Sequence, residues 1–139
     1  MCSEDMAMDS TPDAAGGSLV LQEDDRPAEG WNDERGHLTW RTLFSAGRTP
    51  SNTLVTGVAE LPVGGFLALH RHDQAETYYV LSGQGVVTLE GTEHPVRPGS
   101  TVFIPGGHEH GARNTGAGAL RVFYVLAADD FAEVEYHFS

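Results

Sequence analysis

Short β-rich segments separated by glycine and proline restrict the fold of this sequence more than any other feature. From His37 onward, runs of four to nine residues alternate with breakers such as Pro62-Val63-Gly64-Gly65 and Pro105-Gly106-Gly107. Closely spaced short strands with turn residues between them are typical of an all-β sandwich or barrel. The predicted strands cover residues 37–45, 53–61, 66–72, 76–81, 85–90, 93–96, 101–104, 108–114, 120–126 and 134–138.

The chain divides into an acidic arm and one folded domain. Its 139 residues fit a single core. The first 34 residues hold ten acidic side chains against the single arginine Arg26 and show no sustained periodicity. We predict a weakly ordered arm over residues 1–36 and a domain over 37–139. The arm's apolar residues, Leu19 to Leu21 and Trp31, either dock on the barrel, add an edge strand to a second subunit, or have no special role.

Charge and composition exclude several classes of function. A net charge of -12 with a pI near 4.7 disfavours nucleic acid and anionic membrane surfaces as partners, because both are bound through clustered Lys and Arg. The chain has no lysine, which excludes Schiff-base chemistry on a lysine amine. Its single cysteine, Cys2, excludes an internal disulfide. No export signal or membrane span is visible, so a cytoplasmic location is expected.

Three histidines and a glutamate have the spacing of a metal site. His70 and His72 lie two apart on a predicted strand, so both imidazoles point to one face. Glu76 begins the next run and His110 lies on a later one. Three neutral imidazoles and a carboxylate suit one divalent ion of iron, manganese, nickel, cobalt or zinc. The alternative is that these are ordinary core or surface residues.

The same segments resemble the two motifs of the cupin superfamily. The first motif, Gly-x5-His-x-His-x3-Glu-x6-Gly, is matched from Gly64 to Gly83, and the second, Gly-x5-Pro-x-Gly-x2-His-x3-Asn, from Gly99 to Asn114. Every fixed position is present across about fifty residues. The resemblance implies a double-stranded β-helix of jelly-roll type that holds the metal within the barrel.

An open metal site makes an enzyme the expected function. Tyr78 follows Glu76 by two residues and is predicted to face the same cavity, whereas Tyr79 faces the other way. A phenol beside a divalent cation is a candidate general base. The alternative for Tyr78 is a core aromatic residue with a hydrogen-bonded hydroxyl.

Two further details resemble the short cupin-type lyases that cleave dimethylsulfoniopropionate into dimethyl sulfide and acrylate. They are Glu-x-Tyr at Glu76 and Tyr78, and the closing stretch that ends at Tyr136. The resemblance implies a metal-bound substrate carboxylate, Tyr78 as the base and Tyr136 as a helper in a β-elimination. Nothing in the sequence is specific for a sulfonium cation. The candidates to supply aromatic faces for one are Tyr78, Tyr124, Trp40 and Phe66, with the barrel core as their alternative role.

Two other functions remain open at this point, an iron(II)-dependent dioxygenase and a non-enzymatic barrel that binds a small molecule. In each case the expected partner is a small molecule. A homodimer is expected by analogy, with Leu67 and Leu69 as outward apolar residues at the subunit contact. Arg71 and Arg113 are weak candidates to bind a substrate carboxylate, and His108 lies either at the pocket or on the surface.

Overall fold

The computed structural model describes residues 17–139, so Cys2 and the first part of the predicted arm lie outside the described residues. Within that range the chain forms eleven β-strands and two short 3-10 helices, Glu23–Asp25 and Phe131–Glu133. The all-β prediction is confirmed. The strands are β1 (Ala28–Asp33), β2 (Gly36–Phe44), β3 (Val55–Leu61), β4 (Phe66–Arg71), β5 (Glu76–Ser82), β6 (Gly85–Leu89), β7 (Thr92–Val96), β8 (Thr101–Ile104), β9 (His110–Asn114), β10 (Leu120–Leu126) and β11 (His137–Phe138).

The strands form one curled antiparallel sheet, a jelly-roll barrel. Their order is β7-β6-β9-β4-β2-β3-β10-β5-β8, with β1 paired to β2 and β11 paired to β4. In this order β4 is joined to β2 by two residue pairs, Gly36 with Leu67 and His37 with Phe66.

Alternation along the central strands builds the core. In β10 every second residue from Leu120 to Leu126 is buried, and in β5 Glu76, Tyr78 and Val80 are buried while Thr77 and Tyr79 are exposed. Because successive strand residues face opposite sides, one side of each strand lines the barrel interior. Among the described residues, no helix is long and apolar enough to span a membrane.

Residues 28–33 form a strand that the sequence analysis placed in the arm. All six residues of β1 pair with β2, from Ala28 opposite Arg41 to Asp33 opposite Gly36. The hairpin therefore crosses the predicted boundary at residue 36. Upstream of it, Leu19 and Leu21 are half-buried while Val20 is 90 % exposed.

A bulge in β4 changes which of its side chains face inward. Leu67 pairs with Ala112 and His70 with His110. Between these two pairs β4 advances by three residues and β9 by two, so β4 has one extra residue. Leu67 and His70 consequently both line the cavity, although simple alternation predicted Leu67 on the outside. Leu69, by contrast, is 38 % exposed as expected.

Candidate metal centre

The four predicted ligands come together inside the barrel. His70 lies near the end of β4 opposite His110, the first residue of β9. His72 follows β4 directly, and Glu76 is the first residue of β5. One ring nitrogen from each of the three histidines lies within 4.8 Å of the others, a spacing that can hold a metal ion. All four side chains are at most 6 % exposed.

Glu76 faces two of the three histidines through one carboxylate oxygen. Its Oε1 lies 3.2 Å from Nε2 of His72 and 3.4 Å from Nε2 of His110. The carboxylate thus lies beside two of the three imidazoles, and the three histidines form the cluster that could hold a metal ion.

The other ring nitrogen of each histidine is held by the backbone. The Nδ1 atoms of His70, His72 and His110 lie 2.8, 3.0 and 2.9 Å from the carbonyl oxygens of Ala68, Gln74 and His108. A carbonyl oxygen only accepts hydrogen bonds, so each Nδ1 is protonated and donates. In the neutral rings Nε2 is then left with a free lone pair. This arrangement orients imidazoles toward a metal.

The buried Nε2 of His110 supports occupation by a cation. Among residues 17–139 it has no hydrogen-bond partner, although Oε1 of Glu76 is close by. In the neutral ring both atoms would be acceptors, and two acceptors facing each other in a buried site repel unless a positive charge lies between them. A proton or a divalent metal supplies that charge, so the donor set fits a metal.

The electrostatics of the cluster favour neutral His70 and a charged pair beside it. Burial, reinforced by His110, lowers the pKa of His70 to about 4. Burial opposes charge on His72, but the hydrogen bond and the negative charge of Glu76 outweigh it and raise the pKa of His72. Burial alone would raise the pKa of Glu76, yet the imidazoles of His110 and His72 beside its carboxylate lower it. Glu76 thus makes His72 easier to protonate, so a proton competes with a metal for this ring.

A glycine loop fixes the position of His72. The amide of Gly107 donates to the carbonyl of His72 at 2.8 Å. Gly106 packs so closely that a Cβ there would lie 2.2 Å from the carbonyl oxygen of Asp73. Gly107 itself has φ +81, a conformation that favours glycine. These contacts give Gly107, a fixed glycine of the second motif, and its neighbour Gly106 a mechanical role beside a ligand.

Both predicted catalytic tyrosines border the centre. Tyr78 and Tyr136 line the same cavity as His70 and Glu76. The ring centroid of Tyr136 lies 4.9 Å from that of His70, and that of Tyr78 lies 6.4 Å from that of His110. Tyr79 is 46 % exposed on the opposite face of β5.

Burial disfavours the charged form of both phenols. Burial first, and then the charge of Glu76, raise the pKa of Tyr78 and of Tyr136 well above the ordinary value. A phenolate at either position therefore requires a compensating positive charge at the ligand cluster.

Of the remaining candidates, two aromatic residues line the cavity and the others do not. Tyr124 and Trp40 line it, but Phe66 does not. Arg71 binds the carbonyl of Gly107, and Arg113 pairs with Glu93; both arginines are about half exposed. His108 lies on the surface, as do the histidines outside the motifs, His37, His94 and His137.

Sequence reasoning missed Trp31 and Phe131 as cavity residues. Trp31 reaches the cavity from β1 and Phe131 from the second 3-10 helix. The stretch Asp33-Glu34-Arg35-Gly36, with Asp first and Gly fourth, is a turn signal that would have indicated the hairpin of Trp31. For Phe131 the sequence carries no comparable signal.

The sequence of this chain is similar to those of known proteins. Residues 57–126 match the family model described as Cupin domain. The dimethylsulfoniopropionate lyase DddW of Ruegeria pomeroyi is 38% identical over 114 residues, 81% of this chain and 74% of the relative. The oxalate-binding protein of Thermotoga maritima is 35% identical over 93 residues, 66% of this chain and 77% of the relative.

Solved structures agree on the fold. A predicted oxalate decarboxylase from Thermotoga maritima superposes with a TM-score of 0.71 at 27% identity, covering 79% of this chain and 99% of that one. The polyketide cyclase RemF from Streptomyces resistomycificus gives a TM-score of 0.74 at 22% identity over 88% of this chain and 85% of that one, a likeness of fold alone.

Proposed function

This chain belongs to the cupin family, and on that premise we propose that it is a metal-dependent lyase that cleaves a small carboxylate by β-elimination. Dimethylsulfoniopropionate is the proposed substrate. The observation that carries the proposal is that Tyr78 and Tyr136 line one cavity together with His70 and Glu76. The likeness to the Ruegeria lyase supports the choice of substrate.

The four-residue cluster is the proposed metal centre. The Nε2 atoms of His70, His72 and His110, together with Glu76, would hold one divalent ion. Such an ion would act as a Lewis acid toward a carboxylate oxygen of the substrate. Glu76 also offsets part of its positive charge inside the barrel.

Tyr78 is the proposed base. The C–H bond α to the substrate carboxylate breaks and its proton passes to the phenolate oxygen of Tyr78. The electron pair left behind forms the carbon–carbon double bond, and the carbon–sulfur bond breaks with its pair going to sulfur. Acrylate and dimethyl sulfide result, and the step needs no oxidant or reductant. The phenolate is stabilised by positive charge at the neighbouring cluster.

Tyr136 is the proposed helper. Its ring lines the cavity beside the histidines, 4.9 Å from His70 and 5.4 Å from His72, measured between ring centroids. From this position it confines the substrate chain against the ligand cluster and keeps bulk water away from the reacting carbons.

The test is turnover of dimethylsulfoniopropionate by protein loaded separately with iron(II), manganese, nickel, cobalt and zinc, with and without oxygen. The proposal expects acrylate and dimethyl sulfide in equal amounts and no oxygen uptake. Oxygen uptake on the same substrate would favour the dioxygenase. Tight binding without product, with every metal, would leave a binding barrel and reject the lyase.

A further inference from the structure

Glu90 holds the residue that precedes the ligand His110 at both of its backbone groups. The amide of Glu90 donates to the carbonyl of Glu109 at 2.9 Å, and Oε2 of Glu90 accepts from the amide of Glu109 at 2.6 Å. Glu90 directly follows β6, whose last residue, Leu89, pairs with His110. A side chain outside the cavity is therefore fixed to the chain beside a proposed metal ligand.

A single peptide group joins Glu90 to the imidazole of His110. The amide of Glu109 belongs to the same peptide group as the carbonyl of His108, and that carbonyl lies 2.9 Å from Nδ1 of His110. The group is planar and trans, so its N–H and its C=O point in opposite directions. Turning the N–H away from Glu90 would also turn the carbonyl away from His110. A carboxylate that accepts at the N–H polarises the peptide group and makes its carbonyl a stronger acceptor.

Arg71 holds the same loop at a second point. Its Nη1 donates to the carbonyl of Gly107 at 3.1 Å and lies 3.5 Å from Oε2 of Glu90. The amide of Gly107 in turn donates to the carbonyl of His72. We call Glu90 and Arg71 the outer clamp. Both side chains are half exposed, so the clamp acts on the ligands from outside the barrel.

The backbone of Glu90 adopts a conformation that a glutamate rarely adopts. Glu90 has φ +48 and Gly91 has φ +83, and these two residues form the turn between β6 and β7. Two-residue turns with positive φ at both positions favour Asn, Asp or Gly at the first. Strain of this kind persists where the surrounding structure holds it, and it is frequent at functional sites. A glycine would remove the strain but would lack the carboxylate that binds the amide of Glu109.

From these observations we infer that Glu90 is a positioning residue of the metal centre, which orients the imidazole of His110 through the peptide group between residues 108 and 109. Arg71 is its partner in the outer clamp. Glu90 touches neither the metal position nor the cavity, and it does not line that cavity. The inference rests on the metal centre of the proposed function and is independent of its substrate.

The experiment measures cobalt(II) affinity calorimetrically in the native protein, in Glu90→Gly and in Glu90→Gln. Glu90→Gly should weaken the affinity about tenfold, a typical effect of losing a partner that orients a ligand histidine. Its metal-free form should keep the native denaturation midpoint, because relief of the positive φ offsets the lost exposed hydrogen bond. Glu90→Gln keeps an oxygen that can accept from the amide of Glu109 and should recover most of the affinity.

Two control variants separate backbone strain and surface charge from positioning. Thr53→Gly also relieves a positive φ, +76, at an exposed residue that is not a ligand. Glu93→Gln removes a carboxylate that is 58 % exposed and paired with Arg113, as Glu90 is paired with Arg71. Both variants should bind cobalt(II) as tightly as the native protein.

Nuclear magnetic resonance of the metal-free protein measures the orientation of His110 directly. With nitrogen-15 in the histidine rings, the Nδ1–H signal of His110 reports the hydrogen bond to the carbonyl of His108. In Glu90→Gly this proton should exchange faster with water than in the native protein. In Glu90→Gln and Thr53→Gly its exchange should stay close to the native rate.

Native affinity and a native Nδ1–H signal in Glu90→Gly would overturn the inference. So would a loss of affinity accompanied by a lower denaturation midpoint of the metal-free protein and an unchanged Nδ1–H signal, because Glu90 would then support only the barrel. Weaker cobalt(II) binding in Glu90→Gly, in a protein that does not cleave dimethylsulfoniopropionate, would support the clamp and reject the lyase. Cleavage by the native protein with full affinity in Glu90→Gly would do the reverse, so the two proposals can fail separately.

Discussion

Oε1 of Glu76 lies 3.2 Å from Nε2 of His72, although His72 follows the end of β4 and Glu76 begins β5. The same oxygen lies 3.4 Å from Nε2 of His110, which comes from β9. A carboxylate in contact with two buried imidazoles concentrates lone pairs at one point, and a cation at that point stabilises all three groups. The metal predictions below follow from this geometry.

Replacing His110 by Ala is expected to lower bound metal from one ion per chain toward zero. The substitution removes a buried imidazole whose Nε2 has no other partner. Metal content is measured by mass spectrometry on purified protein. His94→Ala is the control, because His94 is exposed on β7 and should leave the stoichiometry unchanged. Full metal content in His110→Ala would contradict the assignment of the site.

Metal binding is expected to release a proton near neutral pH. The pKa of His72 is raised by Glu76, so His72 carries a proton that the metal must displace. His70, with its pKa lowered to about 4, is already neutral and contributes no proton there. Metal affinity should therefore weaken as pH falls through the raised pKa of His72, and weaken further toward the pKa of His70.

Calorimetry in buffers of different ionisation enthalpy measures that proton count. A count that stays at zero through the neutral range would mean that His72 is not protonated in the metal-free protein. The Nδ1 protons do not enter the count, because they stay on their ring nitrogens and are donated in hydrogen bonds to backbone carbonyls.

Much of the candidate site could be predicted because it is encoded locally. Strand alternation placed Glu76 and Tyr78 on one face of β5 and Tyr79 on the other, and the structure agrees. His70 and His72, with their spacing of two, and the glycines around Pro105 belong to short motifs. In these motifs each residue either supplies a ligand or allows a turn. The ten predicted strands likewise depend on local composition and turn residues.

The parts that could not be predicted depend on pairing between distant segments. The inward position of Leu67 results from a bulge that appears only when β4 is matched against β9. Trp31 lies in a strand, Ala-Glu-Gly-Trp-Asn-Asp, with little apolar alternation of its own, so β1 exists because β2 offers it a partner. The position of Trp31 at the cavity depends on that pairing and could not be predicted from the sequence.

Tyr78→Phe is expected to keep the metal and lose lyase activity by at least about a hundredfold, because the phenolic oxygen is the proposed proton acceptor. Tyr79→Phe makes the same chemical change at the next residue of β5, whose side chain lies on the exposed face, and this variant should keep full activity. Acrylate release at saturating substrate is the measurement, with metal content determined in parallel. Undiminished turnover in Tyr78→Phe would exclude this residue as the base.

Asn114→Ala is expected to destabilise the barrel by about 2 to 4 kcal/mol, because three buried or half-buried carbonyls lose a donor. Nδ2 of Asn114 lies 2.9, 3.0 and 2.8 Å from the carbonyl oxygens of Leu61, Pro62 and Gly118. Guanidinium denaturation of metal-free protein gives the change. Asn32→Ala on exposed β1 should cost much less; equal losses would mean that the amide of Asn114 does not hold these loops together.

Gly106→Ala tests whether the loop before β9 holds His72 in position. A Cβ at residue 106 would lie 2.2 Å from the carbonyl oxygen of Asp73, so the backbone on one side must move. Gly107, the next residue, donates to the carbonyl of His72, and the shift is therefore transmitted to a ligand. We expect metal affinity to fall about tenfold or more, with a loss of stability of about 1 to 3 kcal/mol from overpacking. Gly118→Ala is the matched control, because its Cβ would meet nothing within 4 Å. If both variants bound metal as tightly as the native protein, the close packing of Gly106 would have no role in positioning His72.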